Sequence, residues 1–117
     1  MAVTRHVEFA DTTEQITRAS ACYLHGVYIA NPARTATDGW IELYNASGVT
    51  PGTTEPDFIL HVPFGDSNKY TYRFTFPRIF MATGIEVFFN DTSPVDASAW
   101  NGTGATGYYI DVYWSTA

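Results

Sequence analysis

The chain has 117 residues, a formal net charge of −6, 16% aromatic and only 15% charged side chains. Such a length suits one domain burying roughly two-thirds of its unfolded surface, enough for a core without metal or disulfides. The six Lys and Arg residues are scattered along the chain, which argues against the clustered cations of a nucleic-acid binder.

Taken in order, residues 4–9 alternate weakly and predict an edge strand, followed by a turn at 11–13 and a second extended piece over 15–19. A helix over 12–22 is the alternative, with Thr12 or Thr13 as its cap. Thr17, Ser20 and a short apolar stripe weigh against it. Residues 23–30 form the best-defined core strand, with Tyr23, His25, Val27 and Ile29 on one face and Leu24, Gly26 and Tyr28 on the other. Gly26 in mid-strand predicts a bulge or a close backbone approach. Asn31-Pro32 ends the strand, because Pro cannot donate to a ladder and restricts its neighbour.

Residues 40–44 alternate, Ile41 and Leu43 against Trp40, Glu42 and Tyr44. A turn at 45–48 and a Thr/Pro/Gly loop at 49–56 lead to a strand over 57–62. There Phe58, Leu60 and Val62 oppose Ile59 and His61. Residues 65–68 form a polar connection. Tyr70-Thr-Tyr-Arg-Phe-Thr-Phe76 has the cleanest period of two, with rings on one side and Thr71, Arg73 and Thr75 on the other. Pro77 is expected to stop it, leaving residues 79–82 as a short apolar link. In the next strand Ile85, Val87 and Phe89 point inward. Residues 91–107 form a polar loop carrying Trp100. The last strand, 108–114, sets Tyr108, Ile110, Val112 and Trp114 against Tyr109, Asp111 and Tyr113. The pattern predicts an all-β chain: one antiparallel β-sandwich of about seven or eight strands across residues 1–117, jelly-roll or immunoglobulin-like. Residues 1–20 supply an edge strand or arm.

Chemistry is sparse. His6, His25 and His61 have no metal-ligand spacing, and each reads as a hydrogen-bonded structural imidazole. Glu42, Glu86 and Asp111 are the carboxylates on strands, and their alternation with apolar neighbours places them toward solvent. No nucleophile elbow, phosphate loop or dinucleotide fingerprint occurs. The glycine-rich Thr103-Gly-Ala-Thr-Gly107 has no helix after it to hold a phosphate. No catalytic residue, cofactor or metal is expected. Cys22 is the single cysteine and sits in an apolar run, so it reads as a buried inert thiol. The three triplets at Asn45-Ala-Ser, Asn90-Asp-Thr and Asn101-Gly-Thr read as turns. Met1-Ala-Val-Thr-Arg-His6 lacks an apolar signal region and no stretch reaches membrane-span length, so a soluble chain made in the cytosol is expected.

The aromatics are the better lead. Trp40, Tyr44, Trp100, Tyr109 and Tyr113 are candidates for an outward-facing interface, since exposed Trp and Tyr anchor protein contacts or stack on sugar rings.

Ala21-Cys-Tyr-Leu-His-Gly-Val-Tyr-Ile-Ala-Asn31, then Trp40-Ile-Glu-Leu-Tyr-Asn45, resemble segments of small structural proteins of tailed bacteriophages. Phe76-Pro77, Thr83-Gly-Ile-Glu-Val87 and the closing Tyr-x-x-x-Val-Tyr strand add to the likeness. That group comprises compact β-sandwich virion proteins, including capsid decoration (cement) proteins. The resemblance covers about residues 20–114, and its motifs are packing motifs. It implies a protein without enzymatic activity, made in the host cytoplasm and bound to the capsid exterior. The implied partners are the major capsid protein or other virion proteins, with a homo-oligomer, a trimer by shell symmetry, as the bound form. Two alternatives stay open: a carbohydrate-binding or host-attachment module stacking sugars on Trp40 and Trp100, and a tail or head–tail connector component.

Overall fold

The computed structural model describes residues 4–10, 15–32, 34, 37–50, 53–66, 69–90 and 108–117, with side chains from residue 18 onward except 66. The strands are β1 (Thr4–Ala10), β2 (Gln15–Arg18), β3 (Cys22–Ala30), β4 (Gly39–Tyr44), β5 (Phe58–Val62), β6 (Thr71–Met81), β7 (Ile85–Asn90) and β8 (Tyr108–Ser115), with a 3-10 turn over Phe64–Asp66. The all-β expectation holds, and residues 15–18 are strand, not helix.

Two antiparallel sheets form. The first has the order β1-β8-β3-β6 and the second β2-β7-β4-β5. The edge strands β1 and β2, of whose side chains only that of Arg18 is described, are fixed by backbone pairing with β8 and β7. The inner faces share one core. Leu24, Val27, Ile29, Ile110 and Val112 come from the first sheet, and Ile41, Leu43, Val62, Ile85, Val87 and Phe89 from the second. Burying each such side chain contributes about 1.5–3 kcal/mol, which holds the two sheets face to face. Phe64 closes one end, its ring 5.4 Å from Tyr72 and 5.8 Å from Tyr108. Across the sheets, the Arg18 guanidinium of β2 lies 4.8 Å from the centre of the Trp114 ring on β8. The predicted inward set Ile85/Val87/Phe89 packs on this core, as do Phe58, Leu60 and Val62 from one predicted face and Tyr72, Phe74 and Phe76, but not Tyr70, from the predicted row of rings.

The predicted irregularity at Gly26 is present. Between the Leu24–Trp114 and Gly26–Tyr113 pairs, β3 carries His25 as an extra residue. On the other side, between Leu24–Ile79 and Gly26–Thr75, β6 carries residues 76–78 opposite His25. A side-chain carbon on Gly26 would lie 2.7 Å from the Phe74 carbonyl oxygen, so the backbones approach too closely for any other residue.

Two expectations need correction here. Strict alternation puts Tyr23 and His25 with Val27 and Ile29. Instead the bulge reverses the parity of β3, so Leu24, Val27 and Ile29 are fully buried while Tyr23, His25 and Tyr28 are half-buried on the outside. Pro77 does not stop its strand either. The strand β6 runs through it to Met81, because β6 is an edge of its sheet and Pro77 falls within the irregular stretch, where a missing donor is tolerated. Arg78 takes the left-handed φ of 62° that returns the chain to the ladder.

Gly26→Val should therefore destabilise the fold by about 1–3 kcal/mol through overpacking against Phe74, read as a lowered denaturation midpoint in urea. An unchanged midpoint would mean that the bulge is not constrained as described.

Candidate functional site

The two sheets treat their outer faces differently. On the second sheet, Glu42, Tyr44, Glu86, Phe88 and Asn90 all point away from the central core, yet each is at most 1% exposed. The segment after β4 folds back over Tyr44, Glu86 and Phe88. Val49 packs with Tyr44 and Phe88 in a second apolar cluster. The amides of Gly48 and Val49 both donate to the Glu86 carboxylate, the latter at 3.1 Å. Gly48 sits at a φ of 103°, a conformation that favours glycine and lets both amides turn toward one anion. Hydrogen bonds to a charged group contribute about 1.5–3 kcal/mol each, so Glu86 is a clamp for this segment.

Glu42, buried on the same face, accepts from the Tyr44 hydroxyl at 3.2 Å and from Asn90 Nδ2 at 3.5 Å. Burial nevertheless pushes its carboxyl pKa up, the two hydrogen bonds opposing the shift without cancelling it. Glu42 and Glu86 were expected at solvent, and so was Asp111, which is 3% exposed on the first sheet. Alternation says only that a side chain leaves the core. It does not say what lies outside, and here the chain itself covers both glutamates.

The five aromatic candidates divide accordingly. Tyr44 is 1% exposed and cannot serve as a surface anchor. Trp40 is half-buried, and the His61 ring is stacked with it at 5.2 Å and 19°. His61 Nε2 lies 2.8 Å from Asp38 Oδ2, and Asp38 Oδ1 accepts from the Gly65 amide at 2.7 Å. Those bonds, the His61 one foremost, hold the Asp38 carboxyl below its ordinary pKa. Trp40 thus has a partner from its own chain. Trp100 lies outside the described residues. Tyr109 and Tyr113 fall together on the outer face of the first sheet.

That face is the open one. Tyr109 is 44% exposed, and Phe80, which the sequence left in a link, is 56% exposed. Tyr23 and Phe80 are cross-strand partners with ring centres 5.2 Å apart. The Arg78 guanidinium lies 4.0 Å from the Tyr23 ring centre, and that of Arg73 lies 5.4 Å from Tyr28's. Tyr23, Tyr28, Phe80, Arg73 and Arg78 were not legible as one surface, because it takes the bulge to put Tyr23 and Tyr28 on the same side. The odd spacing between those tyrosines with a glycine between them was the available signal.

At the centre of the face lies a shallow concavity of about 230 Å³, lined by His25, Gly26, Arg73, Phe74, Thr75 and Tyr113. It exists because Gly26, paired with Thr75 on one side and Tyr113 on the other, contributes no side chain to the row. His25 is fixed at the rim, with Nε2 2.6 Å from Ser115 Oγ, whose hydroxyl donates to the Ala117 carbonyl at 3.0 Å. The site is a recess with a cation, hydroxyls and rings.

Among the described residues no three His, Cys, Asp or Glu side chains converge as a metal site, and no helix is long and apolar enough to cross a membrane. Cys22 is buried, and burial raises its thiol pKa. No family model, curated protein or solved structure matches this chain.

The raised Glu42 pKa makes a signed prediction. The folded chain holds this proton more tightly than the unfolded one, so the group's contribution to stability is full below the ordinary value of 4.5 and is lost as pH rises through the elevated folded value. Glu42→Gln removes that loss and keeps an acceptor for Tyr44. The melting temperature of the variant minus that of the parent should grow more positive from about pH 4 to about pH 7. A flat or falling difference would refute the burial argument.

Proposed function

We propose that this chain is a non-enzymatic structural protein of a tailed-phage virion, a capsid decoration protein that docks on the shell exterior through the outer face of the sheet β1-β8-β3-β6. The observation that carries the reading is the contrast between the two sheet faces. On one, the chain's own segment is clamped over Tyr44, Glu86 and Phe88, while the other leaves Phe80 and Tyr109 exposed on the face that carries Arg73 and Arg78. Aromatic residues and Arg are the types enriched at protein contacts, with Lys, Glu and Asp depleted.

The strand order supports a jelly roll over an immunoglobulin-like sandwich. In the latter the first two strands share a sheet, whereas here β1 and β2 belong to different sheets. The order 1-8-3-6 facing 2-7-4-5 supports a reading as two interleaved Greek keys. Double-sheet jelly rolls occur in viral capsid and lectin domains, an analogy of architecture that gives the virion reading its setting. The net charge of −6 suits an outer surface away from packaged DNA.

Size decides how such a protein would hold. Four strands about 4.8 Å apart and about eight residues long give a sheet face of roughly 500 Å². A standard interface buries about 800 Å² per partner, so one face alone makes a weak contact. Stable attachment then needs several copies bound together, which favours a homo-oligomer spanning neighbouring shell subunits, with a trimer matching local shell symmetry.

Purified chain added to shells lacking it should bind on the outside, visible as extra density by cryo-electron microscopy. The pair Phe80→Ala and Tyr109→Ala should weaken binding by about 30-fold or more with an unchanged melting temperature. Density on the tail, or no binding to shells, would overturn the proposal.

A further inference from the structure

We infer that the concavity over Gly26 is the anchoring pocket of this face and takes a carboxylate side chain, Asp or Glu, from the partner protein; the inference rests on the docking reading above. The lining includes Arg73, Thr75 and Tyr113, whose side chains carry a guanidinium and two hydroxyls, and it holds no carboxylate. Among the described side chains, the one acid on the outer face of this sheet is Asp111. It is 3% exposed and lies a strand beyond Tyr28, on the side away from Arg73. A chain of net charge −6 therefore presents a locally cationic patch, Arg73 with Arg78, on this aromatic face.

Arg73 is prepared for this role. Its guanidinium rests on the Tyr28 ring, which restricts the side chain before a partner arrives and leaves N–H edges to grip two oxygens. When the partner's surface excludes water, that charge needs a compensating anion, and a neutral group would leave it buried and unpaired. Polyphosphate or nucleic acid supplies many charges at once and meets the repulsion of the whole acidic chain. A single carboxylate meets the need with the least repulsion. The surrounding rings of Tyr113, Tyr28 and Tyr23 act as the water-excluding rim around the ion pair.

The test is a titration of the isotopically labelled full chain, followed by backbone amide NMR at constant ionic strength. The probes are acetyl-Gly-Glu-Gly-amide, its Gln counterpart and sodium glucuronate. The Glu peptide should shift the amides of Gly26, Thr75 and Tyr113 with saturation in the millimolar range, where an isolated contact of this kind belongs. The Gln peptide should bind at least about 5-fold more weakly, the ratio that corresponds to about 1 kcal/mol. Arg73→Gln should abolish the response, and so should Thr75→Trp, which fills the recess from an exposed strand position while the rest of the spectrum reports an intact fold.

Equal response to the Gln peptide, no shifts at about 50 mM, or tighter binding of glucuronate than of the Glu peptide would overturn the inference. Measured against shells, the two readings separate. Titration of the pocket without shell binding overturns the docking reading and leaves the pocket. Shell binding that Arg73→Gln leaves unchanged, with no titration, overturns the pocket and leaves the docking reading.

Discussion

The extra residue in β3 is the constraint on which the surface chemistry depends. The strand β3 is paired on both sides, with β8 and with β6, so a change of parity there has to be absorbed by its neighbours. On the β6 side it is matched by the Phe76–Pro77–Arg78 irregularity, after which Ile79 and Met81 point inward and Phe80 outward. The strand β8 stays regular, so Trp114 continues into the core while Tyr113 stands outside. Without that step, Leu24 and Val27 could not both be core residues, and Tyr23 and Tyr28 could not share a face. Gly26 is where the step is possible, because the Phe74 carbonyl occupies the space a side chain would need.

How much of this could be read from the sequence follows from the same physics. Where a strand is regular, period-two alternation sorted the faces properly: Phe58, Leu60 and Val62, or Ile85, Val87 and Phe89, lie where their spacing put them. Gly26 announced an irregularity by its type. Its consequence, the exchange of faces between Tyr23 and Val27, was not legible, since a glycine marks a bulge without saying which residue becomes the extra one. Pro77 misled for a related reason. A proline is a strand terminator in the middle of a sheet and an acceptable member at its edge, and edge position is a property of topology rather than of the local sequence. Of the interface candidates, Tyr109 and Tyr113 stand on the outer face where regular alternation along β8 put them. Tyr44 was misjudged because burial by the chain segment folding back after the strand leaves no periodic trace.

That segment shows what the second sheet does with an outward face that water would otherwise cover. Glu86 stands opposite Tyr44 in the ladder, and its two oxygens collect the amides of Gly48 and Val49, so the chain leaving β4 is drawn back over the strands it has just left. Phe88 and Val49 then exclude water around the bond, which strengthens it in turn. A buried carboxylate of this kind is satisfied by backbone and is structural. Glu42 beside it has weaker compensation, which is why burial raises its pKa.

The first sheet has no described counterpart to this cover. Its arginines lie against tyrosines, and its central row is left hollow at Gly26. If rings on this face served only the chain's own packing, a covering segment like that over Phe88 would be the economical solution, as the same fold demonstrates on its opposite side. Leaving Phe80 and Tyr109 in water is unfavourable for the isolated chain and becomes favourable once another surface removes that water. The placement of the arginines adds direction to this general tendency. Cations held on the rings make the uncovered face complementary to an acidic apolar surface and unlike the rest of this acidic molecule, which is the complementarity that the proposed docking requires.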